Sequence, residues 1–353
     1  MTLIDYLTRT HFAEAAIEDA LPEEVGPLSR ALIIADDEPG SAAVCTRVLE
    51  ALGHGNVSLT RTDHTTPHGE ATARILSAIS EIRTDTLIAV GGFAAIGQSR
   101  LAAEHALRRG ERLTLIAVPA SLCDFGLARR VRLGHGQPVA CPRPDRVIAD
   151  PTVLEGAQPR HLAAAAMEVL VHAIEAFASP VYHPPADALA LEATKRLTRW
   201  LPVALASPTH REAQRELMAA ALTAGLALEK AVGGVDALAH PIKAELGPGI
   251  LHGDLHAPLM AAMADFNTEA VGDRYATMAE TFSRTTRRPH FSATFGAFAR
   301  AIGLPTSLRE IGIDPTRFDR IAEMAANDPG ALANPRRMTP GDCRRILEAA
   351  WRA

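Results

Sequence analysis

The chain has 353 residues, more than a single hydrophobic core usually serves, so we expect two domains. Hydrophobic residues make up 47% of it and charged residues 22%, as in ordinary soluble globular proteins. The 36 Lys and Arg residues against 41 Asp and Glu residues give a formal charge of −5, which argues against nucleic acid as a partner.

Membrane and disulfide classes are also disfavoured by the sequence. No uninterrupted apolar run reaches the about 20 residues of a membrane span, and the N-terminus lacks the basic and apolar regions of a signal peptide. The four cysteines lie far apart without a Cys-x-x-Cys pair, which excludes a cysteine zinc site and disfavours a disulfide framework. We therefore expect a cytoplasmic protein with no membrane partner.

Residues 1–151 alternate short apolar runs with helical periodicity. The runs at 30–36, 56–61, 86–90 and 113–118 predict strands, and the stretches 41–52 and 70–82 predict helices. Strands that alternate with helices at this spacing are typical of a parallel sheet with crossover helices. We expect an α/β domain here.

The composition changes after residue 151. The chain becomes rich in Ala, Leu and Glu, and Pro or Gly separates segments of helical length. Helices are predicted at 162–178, 186–201, 211–231 and 253–267, so residues 152–353 form an all-α domain in this interpretation.

The first of these helices carries polar residues inside an apolar surround. Glu168, His172 and Glu175 are spaced i, i+4 and i+7, which places them on one face of the helix. A carboxylate and an imidazole four residues apart can offer two ligands to a metal. A hydrogen bond between Glu and His inside a helical core explains the same spacing equally well.

Two further pairs have the same spacing. Asp236 and His240 follow a Gly-Gly pair, and His252 and His256 begin another apolar helix. Three such pairs in one helical region favour a metal site, with a metal-free polar network as the alternative. An oxygen and nitrogen ligand set of this kind suits Zn²⁺ or Fe²⁺.

Several segments together resemble the iron-containing (group III) alcohol dehydrogenase superfamily. The matching segments extend over nearly the whole chain, at residues 6–12, 20–25, 85–92, 148–151, 172–177, 236–241, 304–312 and 334–340. Within that superfamily the chain is most similar to the maleylacetate reductase branch. Gly97 stands where the alcohol dehydrogenases carry Asp, and the pair His252 and His256 resembles the two-histidine segment of the branch.

The resemblance implies a fold and a chemistry. The fold would be a Rossmann-like dinucleotide-binding domain followed by a helical metal domain, as in dehydroquinate synthase-like proteins, with the active site in the cleft between them. The chemistry would be NAD(H)-dependent hydride transfer, assisted by Fe²⁺ or Zn²⁺ as Lewis acid. The substrate would be a small carbonyl, enol or alcohol compound, and a homodimer is expected.

The resemblance also implies roles for individual residues. The metal ligands would be Glu168, His172, Asp236 and His252. The catalytic histidines would be His240, near the nicotinamide, and His256. The cofactor-binding residues would be Asp36 on the adenosine ribose, Gly91 and Gly92 at the pyrophosphate, Gly97, and Ser121. Arginines 129, 130 and 132 and Lys243 suit an anionic substrate, and we assign Arg130 and Lys243 to it.

The sequence departs from the family pattern at these same sites. Phe93 and Ala94 replace the last Gly and Ser of the glycine turn, and Arg100 replaces the usual Lys. Glu168 replaces Asp or Asn, and Asp236 replaces a histidine. The alternative interpretation is therefore a scaffold used for metal-dependent hydrolase, lyase or isomerase chemistry, or a non-catalytic paralogue.

Overall fold

The computed structural model describes residues 6, 8–38, 40–53, 56–62, 68–123, 125–131, 138–230, 233–247, 249–282 and 290–352. The chain divides into two compact units, Asp5–Ala157 and Gln158–Ala353. The predicted domain boundary after residue 151 falls inside the 3-10 turn Pro151–Leu154 of the first unit.

The first unit is built on a parallel sheet, as the alternation of strands and helices predicts. Within the described residues the strands of this sheet are ordered β1-β8-β5-β4-β2-β3, and every pairing is parallel. They are β1 (Arg9–Phe12), β2 (Ala31–Ala35), β3 (Val57–Arg61), β4 (Thr86–Gly91), β5 (Thr114–Pro119) and β8 (Arg146–Ala149). A separate antiparallel pair joins β6 (Arg130–Val131) and β7 (Val139–Ala140).

Helices cover this sheet: α1 (Ala16–Asp19), α2 (Leu21–Val25), α3 (Ser41–Leu52), α4 (His68–Ile82) and α5 (Phe93–Arg108). Strands β2 and β4 are buried along their whole length, which explains their nearly continuous apolar sequences. The register pairs Ala35 with Val90 and Gly91 with Pro119. The carboxyl ends of β2, β4 and β5 therefore meet at one edge, where ligands bind in open α/β sheets.

Arg100, the residue in place of the usual Lys, is a structural residue of this unit. Its side chain on α5 is buried, and its guanidinium donates hydrogen bonds to the carbonyl oxygens of Pro142 (2.8 Å), Ala128 (2.5 Å) and Cys141 (3.3 Å). It holds the chain on both sides of the β6–β7 pair.

The second unit is helical in its described residues. The helices are α6 (Pro159–Ala178), α7 (Pro184–Ala206), α8 (Arg211–Ala227), α9 (Gly234–Leu246), α10 (His252–Val271), α11 (Asp273–Phe282), α12 (Phe291–Ala301), α13 (Phe318–Ala326), α14 (Pro329–Ala333) and α15 (Pro340–Arg352). Helix α6 is long and apolar enough to cross a bilayer, but 78% of its most apolar window is buried within the protein.

Three predicted helix ends differ from the structure, and the simplest case is α10, which ends at Val271 rather than at residue 267. Helix α7 continues past Leu201 through Pro202 to Ala206. Pro202 removes one backbone hydrogen bond, but Ala204 beyond it is buried in the core, and this packing favours continuation of the helix. Helix α8 ends at Ala227 and gives way to the 3-10 turn Leu228–Lys230. The buried Lys230 pairs there with Asp187, whose carboxylate oxygen lies 2.5 Å from the ammonium nitrogen.

Candidate functional site

Helix α10 packs against both α6 and α9 in the second unit, and these three helices carry the spaced His and carboxylate pairs. Gly253, in the first turn of α10, permits a close approach to α6, because a Cβ there would overlap the carbonyl group of Ala164. This approach brings His252 next to Glu168, one turn further along α6. The structure thus brings the three pairs together.

Asp236 lies at the centre of this cluster. Its Oδ1 is 3.0 Å from His256 Nε2 and 3.9 Å from His252 Nε2, and its Oδ2 is 3.2 Å from His172 Nε2. Each of the three helices therefore contributes at least one ligand-capable side chain. We call Asp236, His172, His252 and His256 the imidazole–carboxylate cluster.

The cluster contains buried polar atoms that satisfy no hydrogen-bond geometry among the described residues. They are Asp236 Oδ1 and the Nε2 atoms of His172, His252 and His256. Burial of polar atoms without partners costs free energy, and a divalent cation bound at Asp236 would supply partners that these atoms lack. Two ligand atoms of one tetrahedral zinc lie about 3.4 Å apart, which is close to the separations from Asp236. The residues present therefore fit a divalent metal with nitrogen and oxygen ligands.

Electrostatics in the metal-free cluster separate its histidines into two states. Burial opposes the charge on His172, but Asp236 outweighs this effect and raises the pKa of His172 to about 9. Burial likewise opposes ionisation of Asp236, but the charge of His172 holds the pKa of Asp236 well below its usual range. Burial and the charge of His252 lower the pKa of His256. His256 is thus a neutral imidazole, while His172 must lose a proton before it can bind a metal.

Glu168 and His240 flank the cluster. Glu168 Oε1 lies 3.7 Å from His252 Nδ1, and the side chain of Glu168 keeps 31% of its surface exposed. One ring nitrogen of His240 lies within 4.8 Å of ligand atoms of Asp236 and His252. The Nδ1 of His240 is 3.9 Å from Asp328 Oδ2.

Two residues that support the cluster have no role in the sequence-based interpretation. Glu175 accepts hydrogen bonds from the amides of Gly233 (2.9 Å) and Val235 (2.8 Å), so it fixes the start of α9 just before Asp236. Burial, with the charge of Asp236, raises the pKa of Glu175 to about 7. Asp328 caps α14 through the amide of Gly330 and approaches His240. The sequence contains one signal for Glu175, its i+7 spacing from Glu168 on the same helix face. It contains no signal that places Asp328 near the cluster.

In the first unit, Asp36 follows β2 and faces inward rather than toward solvent. Its carboxylate accepts hydrogen bonds from the amides of Gly92 (2.8 Å) and Ala95 (3.2 Å) and from Ser41 Oγ (2.6 Å). Burial and then the neighbouring charge of Glu38 raise the pKa of Asp36. The carboxylate thus caps the N-terminus of α5, where the resemblance implies a pyrophosphate, and its binding to a ribose stays a prediction.

The glycine turn is filled by side chains of this chain. A Cβ at Gly91 would overlap the carboxylate of Asp36, and a Cβ at Gly92 would overlap that of Glu38. Ser121 donates a hydrogen bond to Glu38 Oε2 (3.2 Å). The two glycines are therefore required by carboxylates of the protein itself, and the turn in this arrangement does not fit a pyrophosphate.

The remaining predicted residues lie on α5, β6 and α9. Gly97 is buried in α5, with Phe93 (38% exposed) at the first position of that helix. Arg130 is exposed on β6, and Lys243 lies on α9 three residues after His240, so their binding of a substrate stays a prediction. Arginine 132 lies outside the described residues.

A family model adds an independent observation. The model described as Fe-containing alcohol dehydrogenase family, C-terminal, matches residues 162–351, which are more than half of the chain and include every residue of the cluster. The chain belongs to the iron-containing alcohol dehydrogenase family. The predicted membership is thereby confirmed, and it assigns the chain to a family of oxidoreductases.

Relatives extend the match over the whole chain. The 4-hydroxybutyrate dehydrogenase of Cupriavidus necator is 28% identical over 381 residues, which cover 99% of each protein. Maleylacetate reductase 1 of Rhodococcus opacus is 28% identical over 335 residues, 93% of this chain and 90% of its own. The crystal structure of sulfoacetaldehyde reductase from Bifidobacterium kashiwanohense in complex with NAD+ matches at a TM-score of 0.83, with 22% identity and 99% of both chains covered. The predicted fold class is confirmed.

Zinc affinity of this family member should depend on pH through His172. Since the imidazole carries a proton up to about pH 9 in the metal-free protein, zinc must displace that proton below this pH. We expect zinc affinity, measured by chelator competition, to rise about tenfold per pH unit from pH 7 and to level off near pH 9.

The raised pKa of His172 also makes the stability of the metal-free protein depend on pH. The folded pKa of His172 is raised from 6.5, so its pairing with Asp236 stabilises the fold fully below pH 6.5 and is lost as the pH rises through about 9.

A zinc affinity that stays flat between pH 7 and 9 would contradict the assignment of His172 as a ligand.

Proposed function

We propose that the chain is a metal-dependent oxidoreductase that interconverts an alcohol and a carbonyl group on a small anionic compound. The observation that supports this most is the imidazole–carboxylate cluster, with buried ligand atoms that have no hydrogen-bond partner among the residues that the structure describes. Two relatives support the anionic substrate, since 4-hydroxybutyrate and maleylacetate, in their names, are carboxylates. The cytoplasmic location and the homodimer stay predictions.

The residues of α9 suit this chemistry. A bound Zn²⁺ or Fe²⁺ would act as a Lewis acid that polarises the substrate oxygen. His240 is next to the cluster and keeps 20% of its side chain exposed, so its imidazole can hold or deliver a proton. Lys243 lies on the same face of α9, three residues further, where its ammonium can bind the carboxylate of a substrate.

We propose NAD(H) as the hydride carrier because the crystal structure of one fold relative contains NAD+. A pyrophosphate at the glycine turn would require the carboxylates of Asp36 and Glu38 to move away from Gly91 and Gly92. Glu38 is half-buried and can move at a lower cost than Asp36, which accepts several hydrogen bonds.

A second candidate function follows from the same turn. If the two carboxylates remain in place, the turn takes no dinucleotide, and the cluster would then serve metal-dependent chemistry without hydride transfer, such as hydrolysis, lyase or isomerase reactions. Retention of the imidazole–carboxylate cluster in a chain whose glycine turn is filled is the observation that favours this alternative over a non-catalytic paralogue.

Glu38→Gln should tighten NADH binding. The substitution removes a negative charge from the turn, so we expect the Kd for NADH, followed by nicotinamide fluorescence, to fall about three- to tenfold at low ionic strength. Glu50→Gln on the exposed face of α3 is the matched control and should leave the Kd unchanged. Absence of NADH binding up to millimolar concentration in both wild type and Glu38→Gln would reject the dehydrogenase and leave the second candidate.

Lys243→Met tests the substrate class. With zinc- or iron-loaded enzyme, NADH oxidation should be faster with short aldehydes that carry a carboxylate than with neutral aldehydes of equal length. The substitution should raise KM for the anionic aldehyde about tenfold or more, because it removes a charge-assisted contact. The neutral aldehyde should be unaffected; equal losses for both aldehydes would contradict recognition of the carboxylate by Lys243.

A further inference from the structure

His256 has the surroundings of a metal ligand, although the ligand set implied by the family resemblance does not include it. The side chain has 0% exposure, and its Nε2 lies 3.0 Å from Asp236 Oδ1. Neither ring nitrogen has a hydrogen-bond partner among the described residues. A fully buried imidazole with both nitrogens unsatisfied is costly, and a cation at Nε2 removes much of that cost.

Two more imidazoles face the same carboxylate. His172 Nε2 and His252 Nε2 lie 3.2 and 3.9 Å from Asp236 oxygens, and both are buried atoms with no hydrogen-bond partner in the described part of the chain. The ring centroids of His252 and His256 are 4.5 Å apart, and those of His172 and His256 are 5.6 Å apart. Three Nε2 atoms therefore face Asp236. Ligand atoms within 4.8 Å of one another form two groups that share this carboxylate: His172 and His256 in one, His240 and His252 in the other.

Glu168 differs from these residues in burial and in direction. Its carboxylate faces Nδ1 of His252, at 3.7 Å, and not the Nε2 that faces Asp236. It also keeps 31% of its side-chain surface exposed. A carboxylate on the distal nitrogen of an imidazole is the usual arrangement of a group that orients a metal-bound histidine.

We propose that the ion of this chain is held by His172, Asp236, His252 and His256, and that Glu168 is a positioning residue that orients His252. The inference rests on the metal-dependent function proposed above. It makes the ligand set three imidazoles and one carboxylate, in place of the two imidazoles and two carboxylates implied by the resemblance. His256 is then a metal ligand rather than the catalytic histidine that the resemblance implies.

X-ray absorption at the zinc edge tests this directly on the full-length protein. The purified chain is stripped of metal, loaded with one equivalent of zinc, and its imidazole ligands are counted from the multiple-scattering pattern. We expect three imidazoles in the wild type, two in His256→Asn, and three in Glu168→Gln. Two imidazoles in the wild type, or an unchanged count in His256→Asn, would overturn the assignment.

Zinc affinity gives a second readout. We expect His256→Asn to weaken zinc binding by more than about 100-fold, and Glu168→Gln by about tenfold, as for groups that orient a ligand. His161→Asn, on the first turns of α6 and outside the cluster, is the matched control and should bind zinc like the wild type. A larger loss in Glu168→Gln than in His256→Asn would overturn the proposal.

Thermal unfolding of each metal-free variant serves as the control that the variant folds. If His256→Asn fails to fold, His256→Gln replaces it, and the wild-type count of three against two imidazoles still decides the question. These measurements do not depend on activity. Three imidazoles in a protein without NADH oxidation would reject the dehydrogenase and retain the ligand assignment, whereas a protein that binds no zinc would lose both.

Discussion

The helical unit depends on how one buried carboxylate is neutralised. Asp236, on α9, lies among three imidazoles on α6 and α10, and its ionised form persists there because His172 carries the compensating proton. Without that proton or a metal, the carboxylate would be a buried charge with insufficient partners, which costs several kcal/mol or more. The sequence requirements of the surrounding helices follow from this constraint. Gly253 permits the approach of α10, and Glu175 fixes the start of α9.

The glycine turn of the α/β unit also holds a buried carboxylate, that of Asp36, which is stabilised by backbone amides rather than by imidazoles. The N-terminus of α5 presents amides that attract an anion, and in most dinucleotide-binding folds the anion is a phosphate. Here Asp36 supplies the negative charge from the end of β2, and Glu38 lies over the adjacent glycine. The anion site at the N-terminus of α5 is thus retained, but carboxylates of the chain occupy it. A nucleotide phosphate must compete with Asp36 and Glu38 for this site.

The sequence predicts the fold well because periodicity and composition determine it. The buried runs of β2 and β4 and the spacing of α3 specify a parallel sheet, and three i, i+4 pairs correctly place the polar residues on facing helices. Spacing cannot show which ring nitrogen faces inward, so it did not separate the ligand-like His256 from the outlying Glu168. Nor can it show the direction of the Asp36 side chain, which is set by the amides of α5 across the sheet. Both outcomes depend on contacts between distant parts of the chain.

We infer that the imidazole–carboxylate cluster is a metal centre. An anomalous difference map from crystals of the zinc-loaded protein, with data above and below the zinc edge, tests this. We expect a single strong peak about 2.0–2.2 Å from an Asp236 oxygen and from the Nε2 atoms of His172, His252 and His256. No peak at the cluster, with its side chains in direct hydrogen bonds or bridged by water, would contradict it.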